Sequence, residues 1–143
     1  MFKLKMMHDG VKVPTKAHDG DAGWDVYSHS PLVTIGFGER YKFRLGFAIE
    51  LLNGWVALIQ GKSGLANDHG IFTIGNVIDS TYRGECHAIL MCMSQIPVTI
   101  KPGQKVAQML VIPCYTGTKY QIVDELSETD RGAGGFGSTG LGV

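Results

Sequence analysis

Apolar residues recur along this chain at every second position, in short runs interrupted by glycine and proline. The clearest run is Phe43, Leu45, Phe47 and Ile49, which is the period of a strand with one face buried. The same reading predicts strands over residues 24–28, 41–51, 55–60, 86–93, 105–113 and 120–123, all rich in β-branched, aromatic or alternating apolar residues. One short helix is predicted over residues 64–69, with Ser63 capping its first amides and Gly70 taking the left-handed C-terminal position. Many short strands without amphipathic helices between them exclude a parallel α/β sheet. They predict an all-β domain, a distorted jelly-roll-like barrel.

Composition sets the scale. A chain of 143 residues that is 44% hydrophobic can bury a core as one domain without metal or disulfide support. Thirteen Lys and Arg balance thirteen Asp and Glu, so no overall field favours nucleic acid or an anionic membrane, and any anionic ligand must be held by local groups. Cys86, Cys92 and Cys114 lie in apolar stretches, where reduced thiols act as small hydrophobes, which predicts a reducing, intracellular setting: the cytoplasm or, for a viral or eukaryotic source, the nucleus or host-cell interior. No apolar run approaches a membrane span, and residues 1–10 have no apolar leader core. The composition changes after Asp130, where six of the last thirteen residues are glycine. We therefore divide the chain into a β domain over 1–130 and a glycine-rich lid of the same domain over 131–143.

Two motifs fail on context. Gly135-Phe136-Gly137-Ser138-Thr139-Gly140 matches a dinucleotide fingerprint, but only three residues follow it and no βαβ unit can form. Gly61-Lys62-Ser63 resembles the end of a P-loop, yet Val56 stands where its first glycine is needed. The cysteines offer no pair two residues apart for a deaminase zinc site.

Five polar or glycine-rich islands remain: residues 22–25, 62–66, 78–85, 103–108 and 131–140. In order and spacing they resemble the five motifs of the trimeric dUTPases, over nearly the whole chain from Ala17 to Gly140. The resemblance implies the dUTPase-like (β-clip) fold, hydrolysis of dUTP to dUMP and pyrophosphate, a homotrimer whose sites take the first, second and fourth islands from one chain, the third from another and the tail from a third, and magnesium as cofactor. Residue chemistry gives each island a task. Lys62, Ser63, Gln108, Arg131, Ser138 and Thr139 supply the clustered donors a triphosphate needs, with Gly64 beside them. A lone Ser63 would ordinarily be read as a helix cap and a lone Asp25 as a turn residue.

By resemblance, Asp25 holds magnesium through water. Asp79 binds the deoxyribose 3′-hydroxyl and activates the attacking water, which Gln108 helps to orient. Tyr82 packs on the sugar and excludes a 2′-hydroxyl. Asn76, Val77 and Ile78 belong to a hairpin over residues 72–79 whose backbone reads the uracil edge. Phe136, amid glycines where no core can form, stacks on the base while Gly137 to Thr139 close over the phosphates.

The chain also departs from the family pattern. Lys62 replaces an arginine, which keeps the charge and loses the bidentate fork. Asn76 replaces a glycine, at a turn where asparagine tolerates positive φ. Gln104 and Lys105 replace an Asp-Arg pair, with an expected effect on stability more than on chemistry. Two alternatives stand beside this reading. One is a nucleotide sensor or regulator on the same fold that binds a protein partner. The other is dCTP deaminase, whose catalytic glutamate position corresponds to Ile89 here.

Overall fold

The fold was obtained as a computed structural model and describes residues 1–135; Phe136, Gly137, Ser138 and Thr139 lie outside the described residues. The elements run β1 (Lys3–Met6), β2 (Trp24–Tyr27), β3 (Val33–Ile35), β4 (Arg40–Arg44), β5 (Phe47–Glu50), β6 (Trp55–Gln60), α1 (Ser63–His69), β7 (Ile71–Ile74), β8 (Val77–Asp79), β9 (His87–Cys92), β10 (Val98–Ile100) and β11 (Lys105–Pro113). They build four antiparallel sheets, ordered β1-β5, β10-β3, β2-β11-β6-β8 and β4-β9-β7. The arrangement is jelly-roll-like, but among the described residues no sheet closes into a barrel.

The alternating pattern builds the core. On β9 every second residue, Ala88, Leu90 and Cys92, is buried, while His87, Ile89 and Met91 face partly outward. Phe43, Leu45, Phe47 and Ile49 are all within 2% of complete burial. Each removes an apolar side chain from water, worth roughly 1.5–3 kcal/mol.

The strand expected over 41–51 is nevertheless two strands. Gly46 sits at φ +79°, and a Cβ there would come within 2.5 Å of a Val11 methyl, so only glycine fits. The ladder breaks, letting β4 join the sheet of β9 and β5 pair with β1. Backbone partners replace the lost ladder: Leu45 N–H donates to Cys86 O at 3.1 Å and Met7 N–H to Gly46 O at 2.8 Å.

Other boundaries also changed. Residues 55–60 and 105–113 are strands as expected. Residues 120–123 form no strand: among the described residues no segment pairs with them, and Tyr120 and Ile122 are each 86% exposed. Residues 72–79 do turn back, with Gly75 left-handed at φ +59° rather than relying on Asn76. The two arms do not form a simple hairpin: β7 pairs with β9, and β8 with β6. The short strands β1, β3 and β10 escaped the periodicity reading, since three or four residues carry too little alternation to register. In α1, Gly70 closes the C-terminus at φ 60° as expected, but the N-cap is Lys62 without a side-chain cap bond, and Ser63 is the first helical residue.

Candidate active site

The fourth and first islands meet on the four-stranded sheet. Asp25 on β2, Gln108 on β11 and Gln60 on β6 lie in one row across it. Strand alternation alone would put Lys105 and Gln108, three residues apart, on opposite faces. A bulge between Lys105 and Ala107 removes that conflict, because one extra residue on a strand inverts the facing of everything beyond it. Lys105 then pairs with Tyr27, two residues from Asp25 and on the same face.

Asp25, almost fully buried, is gripped from both sides. Lys62, just beyond β6, binds its Oδ1, and Lys105 Nζ lies 2.7 Å from its Oδ2. Burial pushes the Asp25 carboxyl up, but the hydrogen bonds and charges of Lys105 and Lys62 outweigh it and hold the pKa below the usual carboxylate value. The Lys105 ammonium is raised in turn, chiefly by its hydrogen bond to Asp25. Gln108 Nε2 donates to Gly61 O at 2.9 Å, which ties the second island to the fourth. Gly23 permits the contact, since a Cβ there would fall 2.6 Å from Gln108 Oε1. The result is a polar row with two lysines on one carboxylate, a net positive charge suited to an anion.

The third island builds a separate cavity, lined by Gly75, Val77, Ile78, Asp79, Tyr82, Glu85, His87 and Ile89. Asp79 ends β8 with its side chain exposed, and its carbonyl accepts the Tyr82 amide at 3.1 Å. Tyr82 folds over Gly84, where a Cβ would collide with the phenol at 2.3 Å, and its hydroxyl donates to Glu85 O at 3.0 Å. The half-exposed ring of Tyr82 and the uncommitted carboxylate of Asp79 suit a sugar-sized ligand. Glu85 is already committed: its carboxylate accepts from Arg44 Nε at 3.1 and 3.2 Å and from Gly46 N–H at 3.0 Å, bracing the break between β4 and β5. Burial raises its pKa, but Arg44, His8 and the Gly46 amide together bring it below the usual value. Burial and then the charge of Lys42 push the His87 imidazole down against the pull of Glu85, so it is neutral at pH 7.

Within one chain the two regions stand apart. Asp79 pairs with Val56, four residues along β6 from Gln60, and β8 lies two strands from β11. Ordinary strand spacings then put Asp79 about 16 Å from Gln108 and about 20 Å from Asp25. Arg131 joins neither region; its Nε donates to Gly134 O at 2.8 Å in a turn of its own. The sequence reading missed the pairing of Lys105 with Asp25 and the presence of His87 in the cavity, included Glu85 in the third island without a role of its own, and named Ile89 only as the position of the deaminase glutamate. The alternation along β9 was the available signal for His87.

The chain is similar to known proteins over nearly its whole length. The dUTPase family model matches residues 9–140. A deoxyuridine 5′-triphosphate nucleotidohydrolase of Clostridioides difficile is 39% identical over 142 residues, covering 98% of this chain and 98% of the relative. One from Paramecium bursaria Chlorella virus 1 is 37% identical, with 96% of each covered. Among solved structures, a dUTPase mutant of Staphylococcus bacteriophage 80alpha with dUpNHpp superposes with a TM-score of 0.87 at 20% identity, covering 99% of both chains. A mutant dUTPase of phage phi11 of S. aureus, reported with a structural Mg(II) ion, does so at 0.81 and 18% identity, covering 90% of this chain and 99% of that one. With a family model spanning nearly the whole chain and full-length relatives well above 30% identity, the chain belongs to the dUTPase family.

Proposed function

We propose that this protein hydrolyses dUTP to dUMP and pyrophosphate in the cytoplasm, in active sites that no single chain completes. The observation that carries this reading is the separation of the two regions. Asp79 and Gln108 cannot orient one water molecule across about 16 Å, yet each region is built for one half of a nucleotide. The polar row of Asp25, Lys62, Lys105 and Gln108 suits a triphosphate, and the cavity of Asp79 and Tyr82 suits a deoxynucleoside. Bringing the row of one chain against the cavity of another resolves the distance, and a closed homotrimer does this with one repeated interface. Exposed apolar side chains after β11, including Tyr115, Tyr120, Ile122 and Leu126, each more than four-fifths exposed, support burial against another subunit.

In the assembled site Asp79 holds the 3′-hydroxyl and takes a proton from the attacking water. The water oxygen bonds to the α-phosphorus, the bond from that phosphorus to the oxygen bridging to the β-phosphate breaks, and pyrophosphate leaves with the electron pair. Gln108 orients the water, and Lys62, Ser63 and Gly64 hold the phosphates. The backbone of Asn76, Val77 and Ile78 reads the base, and Tyr82 packs on the sugar. Arg131, Ser138 and Thr139 reach the phosphates, with Gly137 beside them, as Phe136 covers the base. Among the described residues no three His, Cys, Asp or Glu side chains cluster, so the protein alone builds no metal cage. Asp25 fits the usual magnesium arrangement of one carboxylate completed by phosphate and water oxygens; bound there, magnesium would spread the charge of the triphosphate.

The test is to incubate the purified protein with magnesium and, separately, dUTP, dCTP, dTTP and UTP, and to measure pyrophosphate and ammonia. Pyrophosphate from dUTP alone is expected. Ammonia from dCTP would establish a deaminase instead, against the apolar Ile89 in the cavity. Binding of dUTP without product would favour a sensor that acts through a protein partner.

A further inference from the structure

We infer that Lys105 is a resident counter-cation on Asp25 and thereby sets the divalent-cation concentration at which the phosphate half of the site takes its ligand. The inference rests on the nucleotide reading above and concerns a residue to which that reading gives no separate role. Asp25 is buried, with a side chain only 11% exposed, and both of its oxygens are occupied by ammonium groups: Lys62 on Oδ1 and Lys105 on Oδ2 at 2.7 Å. The two lysines differ. Lys62 follows β6 at the start of α1 and is the more buried, at 30% exposure, whereas Lys105 is 47% exposed at the solvent edge.

The bulge beside Lys105 aims it at the carboxylate, so the pairing is built into the backbone and does not arise from a wandering surface side chain. Of the two lysines on Asp25, Lys105 is the more open to a cation arriving from solvent. A carboxylate neutralised by two ammoniums attracts a dication less than a free one does. Lysine suits exchange: its ammonium is a single strongly hydrated charge on a flexible stem, without the planar fork that would lock an arginine onto the carboxylate. Lys105 therefore competes for Asp25 when the site is empty and is freed to face the phosphates once Asp25 turns to another cation.

The experiment measures binding of the non-hydrolysable analogue dUpNHpp by calorimetry across a magnesium titration, for the native protein and for Lys105→Gln, Lys105→Arg and Lys5→Gln. Lys105→Gln is expected to lower the half-saturating magnesium concentration about three- to fivefold, the scale of a partly exposed ion pair. It should also weaken binding of the analogue in chelator, where the ammonium is the only charge at that oxygen. Lys105→Arg, which restores the charge, should leave the midpoint at or above the native value. Lys5→Gln, the same charge change on β1, should leave it unmoved. An unchanged or raised midpoint in Lys105→Gln, or an equal shift in Lys5→Gln, overturns the inference while leaving the nucleotide reading intact. If the native protein takes up no analogue at any magnesium concentration, the nucleotide reading fails and the inference fails with it.

Discussion

The polar row around Asp25 and the cavity around Asp79 are two kinds of site in one small domain. In the row the charged groups and the Gln108 amide already have partners inside their own chain: Asp25 has Lys62 and Lys105, and Gln108 has Gly61. In the cavity the Asp79 carboxylate is unspent, and the Tyr82 ring stays open although its hydroxyl is bonded to Glu85 O. The Asp79 side chain is exposed and Tyr82 is 43% exposed, while the nearby Glu85 is fully engaged in bracing the fold. A site whose groups satisfy one another contributes to stability before any ligand arrives, whereas one whose groups are left open contributes little until it is filled.

That contrast can be broken most directly at the two aspartates. Asp79→Asn is expected to cut turnover by about a hundredfold or more, the scale of losing a water-activating base, with no measurable fall in melting temperature. Asp25→Asn should impair turnover too, but it also removes the negative charge and one of the two acceptor oxygens that Lys62 and Lys105 share and should cost about 1–3 kcal/mol of stability. Equal thermal denaturation midpoints for the two variants would show that the row is no more self-supporting than the cavity.

Mixing the chains sharpens the comparison. If the row of one chain works with the cavity of another, inactive Asp79→Asn and Asp25→Asn proteins, unfolded and refolded together, should recover about a quarter of the native specific activity. Random assembly gives each site an intact residue of both kinds in that proportion. Activity that stays at the background of the separate variants would return both regions to a single chain.

The two glycines that shape the regions give a smaller, graded effect. Gly23→Ala drives a methyl into Gln108, 2.6 Å from its Oε1, and should lower kcat about tenfold, since a misplacement of about 1 Å is costly when a water must be oriented. Gly84→Ala displaces the Tyr82 phenol and should appear mainly as a few-fold rise in KM. Steady-state kinetics distinguishes the two; a reversed pattern would exchange the roles assigned to the regions.

The smallest effect is on pH. Asp25 and Glu85 have folded-state pKa values below their ordinary ones, so their stabilisation is present above the unfolded carboxylate values and is lost as pH falls through the folded ones. His87 is also lowered, so the preference for its neutral form is complete above the unfolded imidazole value, near 6.5, and is lost on acidification below it. All three act in one direction. Melting temperature should fall modestly from pH 7 to 5 and steeply below 4, and His87→Gln should flatten the first limb only. A native melting temperature that holds or rises on acidification would contradict the assigned signs.

How much of this was legible in advance differs by element. The long strands β6 and β11 matched to the residue because apolar-rich runs of six and nine residues bounded by turn signals read as buried strands. The run over 41–51 showed its buried positions correctly and its continuity wrongly, since the break at Gly46 depends on Val11 lying against it. The strand expected over 120–123 had the composition of a strand but no neighbour among the described residues. Asp25, Lys62, Gln108, Asp79 and Tyr82 were identifiable as members of motifs. Their division into two regions came only through the family resemblance, which gives the first, second and fourth islands to one chain and the third to another; motif order by itself says nothing about which strands become neighbours.

Local periodicity and chemistry therefore decided, from sequence alone, that this is an all-β domain with its core along alternating positions and its polar groups gathered into five islands. Only the tertiary structure decided how those islands face one another. A single bulge beside Lys105 turns two residues of one strand onto the same face, and the strand order β2-β11-β6-β8 places Asp79 at the far edge from Asp25. Both outcomes rest on contacts between segments distant in the chain. No short stretch of sequence contains the partner that makes them favourable.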